Sequence, residues 1–560
     1  MDCKIYYNKV LQTFICFGFL LLLISGCKNK RKKISEKEIV SQPSEIAPSS
    51  AEIMRAAIAD AIENKEKVSG VQLKYPLVVR HFYEQTDYAP FWSEDGTWKE
   101  KSDSLMHFIS EAGQYGLFPG DYFSIPLKQI KQKIGDSTVK ENRLDASLWA
   151  QADLLMTSGL IQLIKDLKIG RLVHDSTLEK DTSIDKNFYW AQFNSFQTNG
   201  AEVFAAKLEP KHSRYHELKK AVQHFLDSAD LATYTYVNVK DSANVKRLLT
   251  KRLKEVDTTL HSISEPDSLQ VASAIRRYQI RKRLKPDGKF SVSLASSLNE
   301  SDKEKFIRLA ITLDRYKQMP ALPGQYIWVN IPAYQLTVWE DNNPVLTSKV
   351  VVGKPYTRTP ILTSAISDMI TYPLWHIPNS IIAKEILPNL KKDPGYLSRK
   401  GYSLVDGKGN QIDPYLIDWS QYEKTIPYRV IQGSGDDNAL GVIKFNFPNK
   451  YSVYLHDTNQ RYLFANRKRA LSHGCVRVQE WDKLARYILN QDGMINTGSV
   501  PVDSMMTWLA LKEKHVIPLR KRIPLYIRYF TCEAKDNNLV MHEDIYAEDR
   551  KLRDKYFANK

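Results

Sequence analysis

Residues 454–481, YLHDTNQRYLFANRKRALSHGCVRVQEW, decide how the chain is read, because they set a cysteine among groups able to activate it. Ser472, His473, Gly474, Cys475, Val476 and Arg477 form a tight loop, and His456 lies nineteen positions before the cysteine, at the end of the alternating run KFNFPNKYSVYLH. A thiol with a pKa near ~8.5 is only slightly ionised at neutral pH, so a nucleophilic cysteine needs an imidazole, a cation or a helix N-terminus beside it. This stretch offers all three. Trp481, Leu484, Ala485 and Ile488 repeat at i, i+3, i+4, i+7 and predict a helix over 479–489 whose positive end faces back towards Cys475. Gly474 permits a sharp turn, and the backbone N–H groups of Gly474 and Cys475 are candidates to meet a developing oxyanion. Arg477 supplies a fixed charge suited to a carboxylate. Over 451–456, Val453 and Leu455 point one way and Ser452, Tyr454 and His456 the other, which puts the histidine on a polar face. Spacing alone also admits an inert buried thiol beside two ordinary histidines.

Working outward, a histidine, a gap of under twenty residues and then SHGCVR resembles the signature of the L,D-transpeptidases, the YkuD-fold enzymes that cross-link peptidoglycan. Residues 326–362 (YIWVNIPAYQLTVWEDNNPVLTSKVVVGKPYTRTPIL), 372–402 (YPLWHIPNSIIAKEILPNLKKDPGYLSRKGY) and 436–449 (DDNALGVIKFNFPN) look like the large YcbB-type subgroup. Asp457 stands directly after the histidine, where the smaller enzymes more usually have glycine or serine; the HDT triplet fits the large subgroup.

The resemblance implies a set of roles. Cys475 attacks the carbonyl of the third stem-peptide residue and expels the terminal D-alanine, while His456 takes the thiol proton and returns it to the leaving amine. Ser472 and His473 shape the pocket. The acyl group then passes to the amine of another stem. No cofactor is called for, and no metal, because the histidines lack an HExxH or Cys-pair context. Two other classes stay open: an L,D-carboxypeptidase-type hydrolase of stem peptides, and a non-catalytic wall-binding scaffold.

The 560 residues suffice for two or three domains, and 43% apolar content is that of a globular chain. Eighty basic against 64 acidic residues give a net charge of +16, which suits an anionic neighbour; no zinc-finger or RNA-binding signature points to nucleic acid. Lys4 and Lys9 precede an apolar run over 14–24, the make-up of a signal peptide, and Ile24, Ser25, Gly26 and Cys27 resemble a lipobox. Cys27 is then the lipidated residue of a membrane-anchored, periplasm-facing protein; an uncleaved anchor over 11–24 leaves the body on the same side. Of the five cysteines only Cys475 and Cys532 remain beyond that point, and Cys532, after an apolar run, reads as a packing residue.

The expected class is α+β: a mainly helical N-terminal scaffold, a small three-helix module and a β-rich YkuD-type catalytic domain with a lid insertion. Residues 1–27 read as the signal, 28–50 as a polar tether, 51–255 as the helical scaffold, with its aromatics Tyr88, Phe91 and Trp92 either a small core or a sugar-stacking surface. Residues 256–305 resemble a peptidoglycan-binding module, with Val271, Ala274, Ile275 and Tyr278 as its apolar stripe and Arg276, Arg277, Arg281, Lys282 and Arg283 around it. The catalytic domain spans 320–560. Its strands are interrupted over about 375–441 by Pro, Gly and aromatics, among them Trp375, Tyr396, Tyr402 and Trp419, which the resemblance makes a mobile lid. The implied partners are peptidoglycan stem peptides and glycan, the membrane, and possible cell-wall synthases.

Overall fold

The computed structural model describes residues 34–172, 186–495 and 497–558, so the leader, Cys27 and the basic run after it lie outside the described residues. These residues fall into two compact units, one built from 34–112, 118–167 and 186–208, the other from 113–117, 168–172 and 209–558.

The first unit is helical. Its centre is the helix Ala146–Lys168, apolar around most of its circumference and accordingly buried along its length. One carboxylate, Asp153, is accepted inside because the N–H groups of Phe91 and Trp92 and the hydroxyl of Tyr83 all donate to it. That pins the aromatic loop inward. Trp92 is fully enclosed and belongs to the core, while Tyr88 and Phe91 are half-buried beside it. The tether expected over 28–50 is corrected where it is described: from residue 34 the chain is docked. Glu38 N–H donates to Asp145 Oδ1, Val40 N–H to the Leu144 carbonyl, and the helix Ile46–Glu63 begins before Ser50, whose hydroxyl is turned inward onto the Ala146 carbonyl.

In the second unit, the helices Ser268–Arg281 and Val292–Asn299 enclose Ala274, Ile275, Tyr278, Leu294 and Leu298 as the apolar stripe predicts. The same core reaches back to Val237, Leu249 and Leu253, because the helix Val245–Val256 presents its i, i+4 leucines to it. The module is thus wider than 256–305.

The C-terminal body is organised by an eleven-stranded sheet. Its strands are β1 (Gln325–Asn330), β2 (Gln335–Glu340), β3 (Asn343–Gly353), β4 (Leu362–Ala365), β5 (Asp368–Thr371), β6 (Ile443–Asn446), β7 (Leu455–His456), β8 (Ala470–Ser472), β9 (Val476–Val478), β10 (Val516–Pro518) and β11 (Pro524–Arg528). Their order is β10-β5-β6-β7-β9-β3-β2-β1-β11-β4, with β8 beside β3. Asp341 and Asn342 both have positive φ, the backbone of a two-residue turn whose twist matches the strands it joins. One face packs Ile327, Val329, Leu336 and Val350 with Leu484, Ala485 and Ile488 of the helix Trp481–Gly493. Burying each such side chain contributes about 1.5–3 kcal/mol.

The lid lies between β5 and β6, which are direct neighbours, Thr371 paired with Ile443. It is folded in its own right. Strands Trp375–His376, Arg429–Gln432 and Tyr402–Val405 form a small sheet over a core of Ile377, Ile382, Leu387, Leu390, Leu404 and Trp419. Within it Ile382–Ile386 is one turn of π-helix: Pro388 has no N–H to give the Lys384 carbonyl, so the ordinary ladder is broken there.

Candidate active site

Strands β7 and β9 run parallel side by side, Leu455 opposite Val476 and His456 opposite Arg477. Because side chains alternate, Val476 and Leu455 go to the core while Cys475, Arg477, Tyr454 and His456 share the other face. Cys475, His456 and Arg477 line one cavity of about 120 Å³, which lid residues Trp375, Pro378, Ser380 and Ile381 close from the other side.

Burial pushes the Cys475 thiol up, against the backbone and hydroxyl hydrogen bonds of Tyr454 and the charges of Lys444 and Arg477, which draw it down. Tyr454 and the lid residue Trp375 line the same cavity. Burial, with the Arg477 guanidinium beside it, pushes the His456 imidazole down to about 3. The cavity at rest therefore holds a neutral thiol and a neutral imidazole. Among the described residues His456 Nδ1 and Arg477 Nε are buried without a hydrogen-bond partner, although Arg477 Nη1 donates to Gln460 Oε1 at 2.8 Å.

The loop before the cysteine is held from inside. Gly474, at φ +127°, donates its N–H to Ser472 Oγ at 3.0 Å, and that hydroxyl donates to the Cys475 carbonyl at 2.6 Å. The Gly474 amide is thus engaged and is not an oxyanion donor here; of the two amides expected in that role, the one on Cys475 remains. From outside, Thr359 Oγ1 donates to the Gly474 carbonyl at 2.8 Å and Thr357 Oγ1 to the Ser472 carbonyl at 3.0 Å. Tyr546 hydroxyl, bonded to the Gly353 carbonyl at 2.6 Å, fixes this brace.

Three expectations change. The helix starts at Trp481, two residues later than expected, and β9 with a turn stands between it and Cys475, so its first turn does not adjoin the cysteine loop in sequence. His473, expected to shape the pocket, lines the cavity and also meets lid residue Glu385 Oε1 through Nε2 at 2.5 Å, a contact between loop and lid. Among the lid aromatics, Trp375 alone lines the cavity. Tyr402 packs edge-on against Trp375 with ring centres 6.2 Å apart, Trp419 is buried with its indole N–H on the Pro414 carbonyl, and Tyr396 packs on the lid core.

Sequence reading missed Lys444, Glu385 and the purpose of Asp457. Asp457 accepts the Val442 N–H and Arg461 Nη2, bracing the end of the lid where it rejoins the sheet. Adjacent Gly441 has no room for a side chain, since a Cβ there would lie 2.3 Å from the Asp457 carboxylate. Alternation along 443–446 was the available signal for Lys444. Cys532 is buried and its thiol pushed up to about 11, consistent with packing.

A larger hollow of about 530 Å³ lies in the module, lined by Arg252, Lys254, Arg281 and Lys282. Much of that basic charge is engaged internally: Arg281 donates to the Val256 carbonyl, Arg252 to the Leu298 carbonyl and Lys254 to the Ser264 carbonyl.

Fold and site together define a β-sheet enzyme body with a cysteine and a histidine under a folded lid. In comparison with known proteins, residues 324–502 match the family model of the YkuD L,D-transpeptidase catalytic domain and residues 78–222 that of the Scaffold domain. It is 39% identical over 245 residues to a protein of Haemophilus influenzae named "Putative L,D-transpeptidase", a match covering 44% of this chain and 48% of that one. The chain thus spans about half the length of that relative. Solved structures similar to it include an L,D-transpeptidase from Mycobacterium smegmatis, at 13% identity and a TM-score of 0.17 over 37% of this chain and 58% of that one. Another is the catalytic domain of an E. faecium L,D-transpeptidase acylated by ertapenem, at 13% identity and a TM-score of 0.16 over 37% of this chain and all of that one. At these scores neither likeness bears on the site.

Proposed function

We propose that the protein is a peptidoglycan L,D-transpeptidase that joins stem peptides through an acyl-enzyme on Cys475. The observation carrying this reading is the shared cavity: one thiol and one neutral, buried imidazole under a lid, with Arg477 beside them. His456 accepts the thiol proton, and the sulfur electron pair attacks the donor carbonyl. The carbonyl C–N bond then breaks, and His456 returns the proton to the departing D-alanine amine, leaving a thioester. An acceptor amine attacks that thioester, gives its proton to His456, and the thiol is restored. Arg477, on the cavity wall, holds the donor's terminal carboxylate. The Cys475 amide meets the developing oxyanion.

By the same reading the partners are stem peptides and glycan. The body faces the periplasm, anchored through lipid on Cys27 or through an N-terminal span. Purified protein incubated with sacculus fragments, followed by mass spectrometry, tests this. Cross-linked dimers are expected. Trimmed monomers alone mean a carboxypeptidase-type hydrolase, and unchanged fragments a wall-binding scaffold.

A further inference from the structure

Lys444 stands on the active-site face without reaching the cavity. On β6, Ile443 and Phe445 turn into the core, so Lys444 takes the opposite face, where it pairs with His456 of β7 on one side and Ile370 of β5 on the other. Its Nζ rests 4.1 Å from the centre of the Tyr454 ring, and Tyr454, whose carbonyl accepts the Val476 N–H at 3.1 Å, lines the same cavity as Cys475. A lysine taken out of water in this way is costly unless an anion or a π-face offsets the loss.

The charged and titratable groups that act on this region come from every neighbouring element: Asp368 on β5, Tyr454 and His456 on β7, Cys475 and Arg477 around β9, and His376 on the lid. Asp368, the sole carboxylate among them, already receives hydrogen bonds from Asn446 Nδ2 and Ser367 Oγ. Of the groups that favour the charged lysine, Cys475 acts more strongly than Asp368. The two cations also divide. Lys444 outweighs Arg477 at the thiol, and Arg477 outweighs Lys444 at the imidazole.

We propose that Lys444 is a positioning residue for the nucleophile: its ammonium, seated on the Tyr454 ring, is the fixed counter-charge of the Cys475 thiolate. When the S–H bond breaks and its proton passes to His456, the electron pair left on sulfur meets a cation already in place, with no rearrangement of solvent. Arg477 is then left for the substrate and for keeping His456 neutral. The inference rests on Cys475 being the nucleophile.

The test is the rate at which the full chain's Cys475 is alkylated by iodoacetamide as a function of pH, read by intact mass, for wild type, K444M, K444Q and K444R. Loss of the charge should move the apparent thiol pKa up by about one unit, a roughly tenfold slower reaction at neutral pH, while the limiting rate at high pH stays unchanged. K444R should restore the wild-type profile. K444Q supplies the neutral arm if K444M fails to fold. A neutral variant that is folded, with a profile superimposable on wild type, overturns the proposal, and so does K444R behaving like K444M, which is the mark of a packing role. Since alkylation needs no peptidoglycan, a protein that fails to cross-link fragments yet shows the shift refutes the proposed function and leaves this role standing.

Discussion

At the scale of the residue, the site separates two histidines that look interchangeable in sequence. His456 is enclosed beside Arg477 on the cavity wall, whereas His473 spends its ring on Glu385 of the lid. Cys475→Ser and His456→Ala should each abolish cross-linking and acylation, by well over tenfold, whereas His473→Ala should keep a measurable rate; single-turnover acylation followed by intact mass checks the order. His456 also leaves a signature in stability. Its folded pKa of about 3 lies below the ordinary value near ~6.5, so in that window the unfolded chain binds a proton that the native chain does not. Stability conferred by the neutral ring is full above that window and is lost as pH falls through it. His456→Gln should therefore flatten the pH dependence of unfolding free energy by about 1.4 kcal/mol per pH unit between those limits, measured in urea at several pH values.

At the scale of the element, the lid is a folded insertion whose two ends meet. Tyr372 N–H already bonds the Val442 carbonyl, and β5 pairs directly with β6, so a short turn in place of about 375–441 keeps the sheet continuous. Such a protein should fold and keep Cys475 reactive to a small thiol reagent, while the ratio of trimmed to cross-linked product rises, because water then reaches the thioester. An unchanged ratio from a folded protein removes the lid from acceptor choice. A milder change addresses the latch: Glu385→Ala frees His473 and should speed modification of Cys475 by a bulky maleimide several-fold, with thermal stability nearly unchanged because both partners are partly exposed. The lid's extent was legible in the break from alternation to Pro, Gly and aromatics. Its latch was not, because a π-turn and a contact spanning 88 positions leave no local pattern.

At the scale of the whole molecule, the second unit is stitched from distant pieces of chain. Short segments at 113–117 and 168–172 belong to it, and they complete the hydrogen bonding of the buried helix Asp302–Lys317 and the residue after it. Arg171 N–H donates to Asp314 Oδ2 at 2.5 Å, Lys317 Nζ to the Tyr115 carbonyl at 3.4 Å and Gln318 Nε2 to the Leu172 carbonyl at 3.2 Å. Gly116 packs closely there, its missing Cβ 2.9 Å from Leu313. A chain of 209–560 alone leaves those buried groups short of partners, at about 1–3 kcal/mol each. It should unfold at markedly lower denaturant than the full chain, as circular dichroism would report. Equal midpoints would mean that the stitching contributes little.

What the sequence determined by itself is what periodicity and local chemistry carry. Alternation marked the strands around 326–352, the i, i+3, i+4, i+7 spacing marked the helix after Gln479, and SHGC with an upstream histidine marked a thiol and an imidazole that line one cavity. Such patterns tell which face a side chain takes and not which neighbour it meets. Tertiary structure decided the neighbours. It set Lys444 opposite His456, turned the Ser472 hydroxyl onto the Gly474 amide, sent His473 to Glu385, and carried β11 from near the end of the chain to a place beside β1. Each of these is fixed by the register of strands distant in sequence, and register follows from how the whole sheet buries its core, a quantity no short window of sequence contains.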